Sequence, residues 1–139
     1  MRKIIFASHS NLADGLKDTI QYIIPSIKDI TAISAYTSNV PVEDEIDIAL
    51  ESLKDNDEAI IFTDLLGGSV NQAFIKFINN PNIHIITGMN VPVVMTLLLS
   101  LTDNKITKEQ IDTAINEGQQ QIIYVNEYFN NQEIDMEDE

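Results

Sequence analysis

The sequence predicts an α/β fold: an open parallel sheet of four strands with helices on both faces. Three observations carry that expectation. Short apolar runs rich in β-branched residues recur at 3–8, 29–36, 58–63 and 83–87. Between them the apolar residues fall three and four apart, the period of a helix. Polar loops rich in Ser, Asn and Gly follow each run. This alternation calls for parallel strands joined by crossover helices.

Each element has its own signals. KIIFAS (3–8) is short, apolar and bounded by the polar SHSN, as a buried strand is. Leu12, Leu16, Ile20 and Ile23 then form a helical stripe, and Pro25 ends that helix because its ring denies the preceding residue the helical conformation. DITAISAY (29–36) is the second strand. Pro41 suits a first helical position, and Val42, Ile46, Ala49, Leu50 and Leu53 form the apolar face of the second helix. EAIIFT (58–63) is the third strand and DLLGG a loop, with Val70, Ala73, Phe74, Phe77 and Ile78 the inward face of the third helix. IHIIT (83–87) is the fourth strand, and Val93, Val94, Leu97, Leu98 and Leu101 mark a buried fourth helix.

The last helix is the best delimited. Thr107 and Gln110 have the spacing of a capping box, Ile106 and Ile111 that of a hydrophobic staple, and Gly118 stands where a C-terminal glycine belongs. QIIYV (121–125) then reads as a final strand. Residues 1–126 are expected to form one domain, with 127–139 an acidic, mobile tail. A chain of 139 residues fits a single domain able to bury roughly two-thirds of its unfolded surface.

Composition excludes several functions. A formal net charge of −14, with only eight Lys and Arg, opposes binding to nucleic acid or to anionic lipid, which both rely on clustered cations. The absence of cysteine removes disulfides, thiolate metal sites and a Cys nucleophile. Four apolar residues after Arg2 and Lys3 are too few for a signal peptide, whose apolar region needs about 7 to 15. VPVVMTLLLSL falls short of the ~20 residues of a membrane span. A cytoplasmic protein is expected.

Right-handed crossovers place all strand-to-helix loops at one edge of a parallel sheet, where such folds bind ligands. The tips that meet there are Ser8-His9-Ser10, Thr37-Ser38-Asn39, Thr63 to Ser69, and Gly88-Met89-Asn90-Val91. They bring together one imidazole, the Asp64 carboxylate, several hydroxyls and the pair Gly67-Gly68, and no Lys or Arg. A P-loop needs its lysine, so nucleotide hydrolysis is not supported. Asp64 could instead fix the tautomer of His9 through one ring nitrogen and leave the other as a nucleophile. The plainer alternative is that His9 caps the following helix or closes a loop.

In DLLGGSVNQAF, Gly67 and Gly68 can leave main-chain N–H groups uncovered, and Ser69 can open the helix, so an anion could rest there without a cation. An ordinary glycine turn with a serine cap is the competing reading. His84, inside an apolar strand, reads as structural. Two distant histidines without cysteine make a weak ligand set, and no metal is expected.

The strand with SHSNLADGL, the strand with TDLLGGSVNQAF, and ITGMNVPVVMTLL, in this order and spacing, resemble the IIA component of bacterial mannose-type (mannose/fructose/sorbose) phosphotransferase systems. The likeness extends over nearly the whole chain to about Val125. It implies a flavodoxin-like fold in which a fifth strand, here QIIYV, is exchanged in a homodimer. It further implies that His9 is the phosphorylated histidine, Asp64 the acidic residue orienting it, and Ser69 the serine beside the phosphoryl group. Gly67 and Gly68 then belong to the phosphoryl-binding loop. Ser8, Ser10, Ser38, Asn39, Met89 and Asn90 line the site or meet the partner. The implied partners are the phosphocarrier HPr as donor and a IIB subunit as acceptor, with no cofactor and with association to a membrane IIC/IID complex. Ser10 and Val70 stand where some members have Gly and Pro. The alternatives are a regulatory module that senses the same phosphorelay, or the phosphotransfer subunit of a dihydroxyacetone kinase.

Overall fold

The four apolar runs become β1 (Arg2–His9), β2 (Ile30–Ala35), β3 (Glu58–Thr63) and β4 (Ile83–Ile86). In the computed structural model, which describes residues 1–137, they pair in parallel in the order β2-β1-β3-β4. The intervening helices are α1 (Leu12–Ile23), α2 (Val42–Leu50) and α3 (Ser69–Phe74), the last tightening into a 3-10 turn over Ile75–Phe77. After β4 come α4 (Val91–Ser100), α5 (Lys108–Gln120) and α6 (Val125–Glu137). The chain divides into two units, Met1–Val91, which holds the whole sheet and α1 to α3, and a second that begins at Pro92.

In the first unit the pleat sorts strand residues onto two faces. Ile5, Ala7, Ile33, Ala35, Ala59 and Ile61 form one buried cluster with Val42, Ile46 and Ala49 of α2 and Val70 and Phe74 of α3. Phe6, Ile60 and Phe62 alternate with them, point the other way and are fully buried, with the two phenyl rings edge to face at 5.7 Å. Each fully buried Ile or Phe contributes roughly 1.5–3 kcal/mol. The β1-to-β2 crossover runs opposite to the next two, so right-handedness sets α1 on the face away from α2 and α3. The chain thus leaves β1 one way and β3 the other, and the crevice between their C-terminal ends is the topological switch point.

Local hydrogen bonds fix how the chain leaves each strand. Asn11, at the start of α1, gives no side-chain cap. Instead the Ala13 N–H donates to Ser8 Oγ at 2.7 Å, and the Asp14 N–H donates to Ser34 Oγ at 3.3 Å, so serines from two strand ends satisfy the helix's first donors. Ser34 Oγ in turn donates to Asp14 Oδ2 at 2.6 Å. At the end of β3 the buried Thr63 hydroxyl donates to Asn71 Oδ1 at 2.9 Å and ties the strand to α3.

Some expectations need correction. Pro41 is the N-cap of α2 and not its first helical residue, and the helix ends at Leu50, before Leu53. Ile78 is exposed, because the 3-10 turn advances about 120° per residue and carries the apolar stripe off the core side. In the second unit Val93, Val94, Leu97 and Leu98 of α4 are buried as the pattern requires. The Thr107–Gln110 capping box forms in both directions, with Ile106 buried beside it. Gly118 does not terminate α5: it is buried inside the helix, which runs on to Gln120.

Within the single chain the segment 121–125 is not paired as a strand. Ile122, Tyr124 and Val125 are exposed, and helix resumes at Val125. A strand requires a neighbour to complete its ladder, and the sheet has four strands among the described residues. The tail expected from residue 127 is helical through Glu137, and its last two residues lie outside the described ones.

Thr63→Val keeps the shape of the strand end and leaves Asn71 Oδ1 without its donor. Denaturant unfolding is expected to show a loss of about 1–3 kcal/mol.

Candidate functional site

His9 is the last residue of β1, and Asp64 follows directly on β3. The parallel register pairs Ala7 with Thr63, which brings the Asp64 carboxylate to the end of β1. Asp64 Oδ2 accepts two hydrogen bonds from His9, one from the main-chain N–H and one from the ring at Nδ1, both 2.8 Å. A carboxylate only accepts, so the proton of the neutral ring sits on Nδ1 and Nε2 carries the lone pair. His9 therefore does not cap α1; Ser8 and Ser34 do that.

The Asp64 side chain is 12% exposed, while that of His9 is 40% exposed. Burial alone raises the Asp64 carboxyl; the His9 main-chain and ring hydrogen bonds and the attraction of the imidazole act the other way and prevail, holding it below the ordinary 3.8. Asp64 Oδ1 is buried without a hydrogen-bond partner among the described residues, and both hydrogen bonds from His9 fall on Oδ2.

On the open side of the ring, Nε2 lies 3.1 Å from Ser69 Oγ, at the first residue of α3. Ser69 is reached through the turn Leu65 to Gly68. Gly67 adopts φ +77, the left-handed region that glycine enters without strain. Gly68 is required by proximity: a Cβ there would stand 3.1 Å from His9 Cε1 and 3.2 Å from the Leu65 carbonyl oxygen. Its N–H, expected to be uncovered, donates to Leu65 O at 3.1 Å within the turn. Leu65 and Leu66 themselves point outward, 60% and 78% exposed, and give the rim an apolar character.

The other expected residues are placed unequally. Ser8 is fully buried, with its hydroxyl donating to Ser10 O at 3.0 Å and accepting from Ala13, so it shapes the loop and offers no surface to a partner. Ser10 is exposed, in the left-handed region at φ 53, and its N–H donates to Ala35 O at 2.9 Å. Ser38 and Asn39 are exposed, with Ser38 Oγ accepting from the Val40 N–H at 3.2 Å. Met89 is buried, and its N–H donates to Thr63 O at 3.0 Å; Asn90 is half-buried. His84 lies within β4 opposite Ile60, not at the edge that carries the site.

Sequence reasoning passed over Tyr36. Its hydroxyl is 2.7 Å from Ser69 Oγ, and its ring centroid is 5.8 Å from that of His9. The available signal was its position as the last residue of the predicted second strand, at the edge where the other tips gather. Among the described residues no group of His, Asp and Glu could hold a metal ion, and no helix is long and apolar enough to cross a membrane.

The fold and the site define a class: a flavodoxin-like α/β protein with an oriented imidazole at the switch point of its sheet. The family model for the PTS system fructose IIA component (EIIA-man) matches residues 3–117. The chain belongs to this mannose-type IIA family of the sugar phosphotransferase system, whose members act in phosphotransfer. No curated protein matches it. Among solved structures it is similar to a candidate phosphoenolpyruvate-dependent sugar phosphotransferase permease of Klebsiella pneumoniae, at 31% identity over 92% of this chain and 93% of that one, with a TM-score of 0.85. It is also similar to a PTS IIA protein associated with the fucose utilization operon of Streptococcus pneumoniae, at 28% identity, 92% and 96% coverage and TM-score 0.74. The mannose/sorbose-specific IIA subunit of Enterococcus faecalis, 18% identical with a TM-score of 0.71 over 88% and 92% of the two chains, shares the fold.

Gly68→Ala pushes a methyl group against the imidazole edge, and is expected to shift the His9 ring resonances in NMR spectra while the β-sheet amide resonances stay in place. The Asp64 carboxyl, lowered on folding, contributes stability that is present above its unfolded value and lost as pH falls through its folded value. The stability advantage of the wild type over Asp64→Asn should therefore be full above the ordinary carboxyl value of 3.8 and shrink as pH falls below it, as measured by denaturant unfolding against pH.

Proposed function

We propose that this chain is a phosphocarrier, with His9 Nε2 accepting a phosphoryl group from phospho-HPr and passing it to a IIB partner. The observation that carries the reading is the pairing of His9 Nδ1 with Asp64 Oδ2 at 2.8 Å, with Nε2 turned to the rim. Asp64 holds the Nδ1 proton, so the Nε2 lone pair is available to attack phosphorus. The Nε2–P bond forms as the bond from phosphorus to the donor imidazole breaks; the donor ring leaves with the electron pair and takes a proton from solvent. The Asp64 carboxylate offsets the positive charge that develops on the His9 ring.

The Ser69 hydroxyl, 3.1 Å from Nε2, is placed to donate to a phosphoryl oxygen once the group arrives. Gly67, with open space where a side chain would stand, adds no bulk to the loop that leads to Ser69. The tips hold no Lys or Arg, so the arriving anion is neutralised in part by cations of the docked protein. The exposed Leu65 and Leu66 supply apolar surface for that docking.

Incubation with phosphoenolpyruvate, enzyme I and HPr is expected to give an acid-labile, base-stable phosphoryl adduct that His9→Ala does not form. Asp64→Asn should slow its formation about ten- to a hundredfold, the effect of losing one charge-assisted hydrogen bond. A wild-type chain that acquires no adduct from active donors would overturn the proposal. An adduct that no cognate IIB accepts would favour a regulatory role.

A further inference from the structure

We infer that Tyr36 is a positioning residue for phosphoryl transfer at His9, acting through the Ser69 hydroxyl. The inference rests on the phosphocarrier reading above and extends it to a residue outside the His9, Asp64 and Ser69 set. Three observations carry it.

The first is the backbone. Tyr36 has φ 68, a left-handed conformation that side chains other than Gly, Asn and Asp rarely adopt. It directly follows Ala35, which lies in register with His9 and accepts the Ser10 N–H at 2.9 Å. The loop after β1 thus fixes the peptide just before Tyr36, and the left-handed turn sends the side chain along the sheet edge toward the neighbouring site. Strain of this kind persists where the surroundings impose it, and it clusters at functional positions.

The second is the destination of the side chain. Tyr36 is 59% exposed, so burial does not explain its placement. Yet its hydroxyl lies 2.7 Å from Ser69 Oγ, and its ring lies 5.8 Å from the imidazole at a 44° tilt.

The third is the direction of the hydrogen bonds. With the imidazole proton on Nδ1, Nε2 only accepts, so Ser69 O–H donates to it. The Ser69 proton is then committed, and the Ser69 oxygen accepts from Tyr36 O–H. The result is a one-way chain, Tyr36 to Ser69 to Nε2, in which the phenol selects a single Ser69 rotamer.

When phosphorus bonds to Nε2, the lone pair that Ser69 addressed is consumed, and the Ser69 O–H turns to a phosphoryl oxygen. Tyr36 continues to donate to the Ser69 oxygen, which polarises that hydroxyl into a stronger donor to the anion. Both hydroxyls keep their protons throughout. The Nε2–P bond forms, the donor's bond to phosphorus breaks, and the one proton that moves is the one the donor ring takes from solvent. Because the contribution grows as the anion reaches Nε2, it acts on the transfer step and not on docking.

The test is steady-state phosphorylation by phospho-HPr of the wild type, Tyr36→Phe, Ser69→Ala and the double variant, with thermal unfolding as a control on the fold. Tyr36→Phe keeps the ring and loses only the hydroxyl. The expected result is a fall in kcat of about fivefold, with KM for phospho-HPr unchanged, corresponding to one neutral hydrogen bond. In the Ser69→Ala background the same substitution should change kcat by less than about twofold, since the chain is already cut. A Tyr36→Phe variant equal to the wild type would overturn the inference, as would an equal loss in both backgrounds. A raised KM with unchanged kcat would also overturn it, marking Tyr36 as a docking contact. A wild-type chain that takes no phosphoryl group removes the phosphocarrier reading itself, a failure distinct from these.

Discussion

The two hydrogen bonds from His9 to a single oxygen of Asp64 are the constraint on which the site depends. The main-chain bond fixes the end of β1 against the loop after β3, and the ring bond fixes the torsions that aim the imidazole. Either bond alone would leave a freedom that matters: a ring free to turn, or a loop free to drift. The partners stand 55 residues apart in sequence, so the pairing exists only because β1 and β3 lie side by side in the sheet. Thr63 reinforces it by anchoring the end of β3 to Asn71, and Met89 by donating to the Thr63 carbonyl. The Nε2 edge of the ring is thus held from below by a framework of strands and from the side by Gly68, whose missing side chain allows the close approach.

In the proposed function, a site built this way handles an anion without resident cations. The Ser69 hydroxyl faces His9 Nε2 and the Tyr36 hydroxyl faces Ser69, and the chain as a whole carries a net charge of −14. Such surroundings disfavour a free phosphate ion, which would meet repulsion and little compensation. They suit a phosphoryl group delivered by a docked protein, which brings its own positive charge and excludes water from the transfer. The proposed division of labour therefore leaves nucleophile, orientation and hydroxyl donors on this chain, and charge neutralisation on its partner.

Legibility in the sequence followed the range of the interactions. The capping box at Thr107 and Gln110 was readable because both partners lie within one helical turn. The strands were readable because their apolar runs need no knowledge of neighbours. Gly118 was misread as a terminus because the same residue type also occurs inside helices, and nothing local distinguishes the two. QIIYV forms no strand within the single chain because β-branched and aromatic residues report only a preference; the ladder partner decides, and an exchanged strand finds its partner in a second copy. Ser8 and His9 stand side by side in sequence, yet one is buried as a helix cap and the other faces the rim, since consecutive strand residues point to opposite faces.

The sequence by itself determined the elements of the sheet unit, the edge at which its loops gather, and, through three segments in characteristic order, the family and the pair His9 and Asp64. Only the tertiary structure decided that both histidine donors converge on one carboxylate oxygen, that the Gly68 amide is used inside its own turn, and that Tyr36 reaches Ser69. The reason is physical. Periodicity and turn chemistry are properties of neighbouring residues, whereas a hydrogen bond between loops depends on strand order and register, which arise from the packing of the whole sheet.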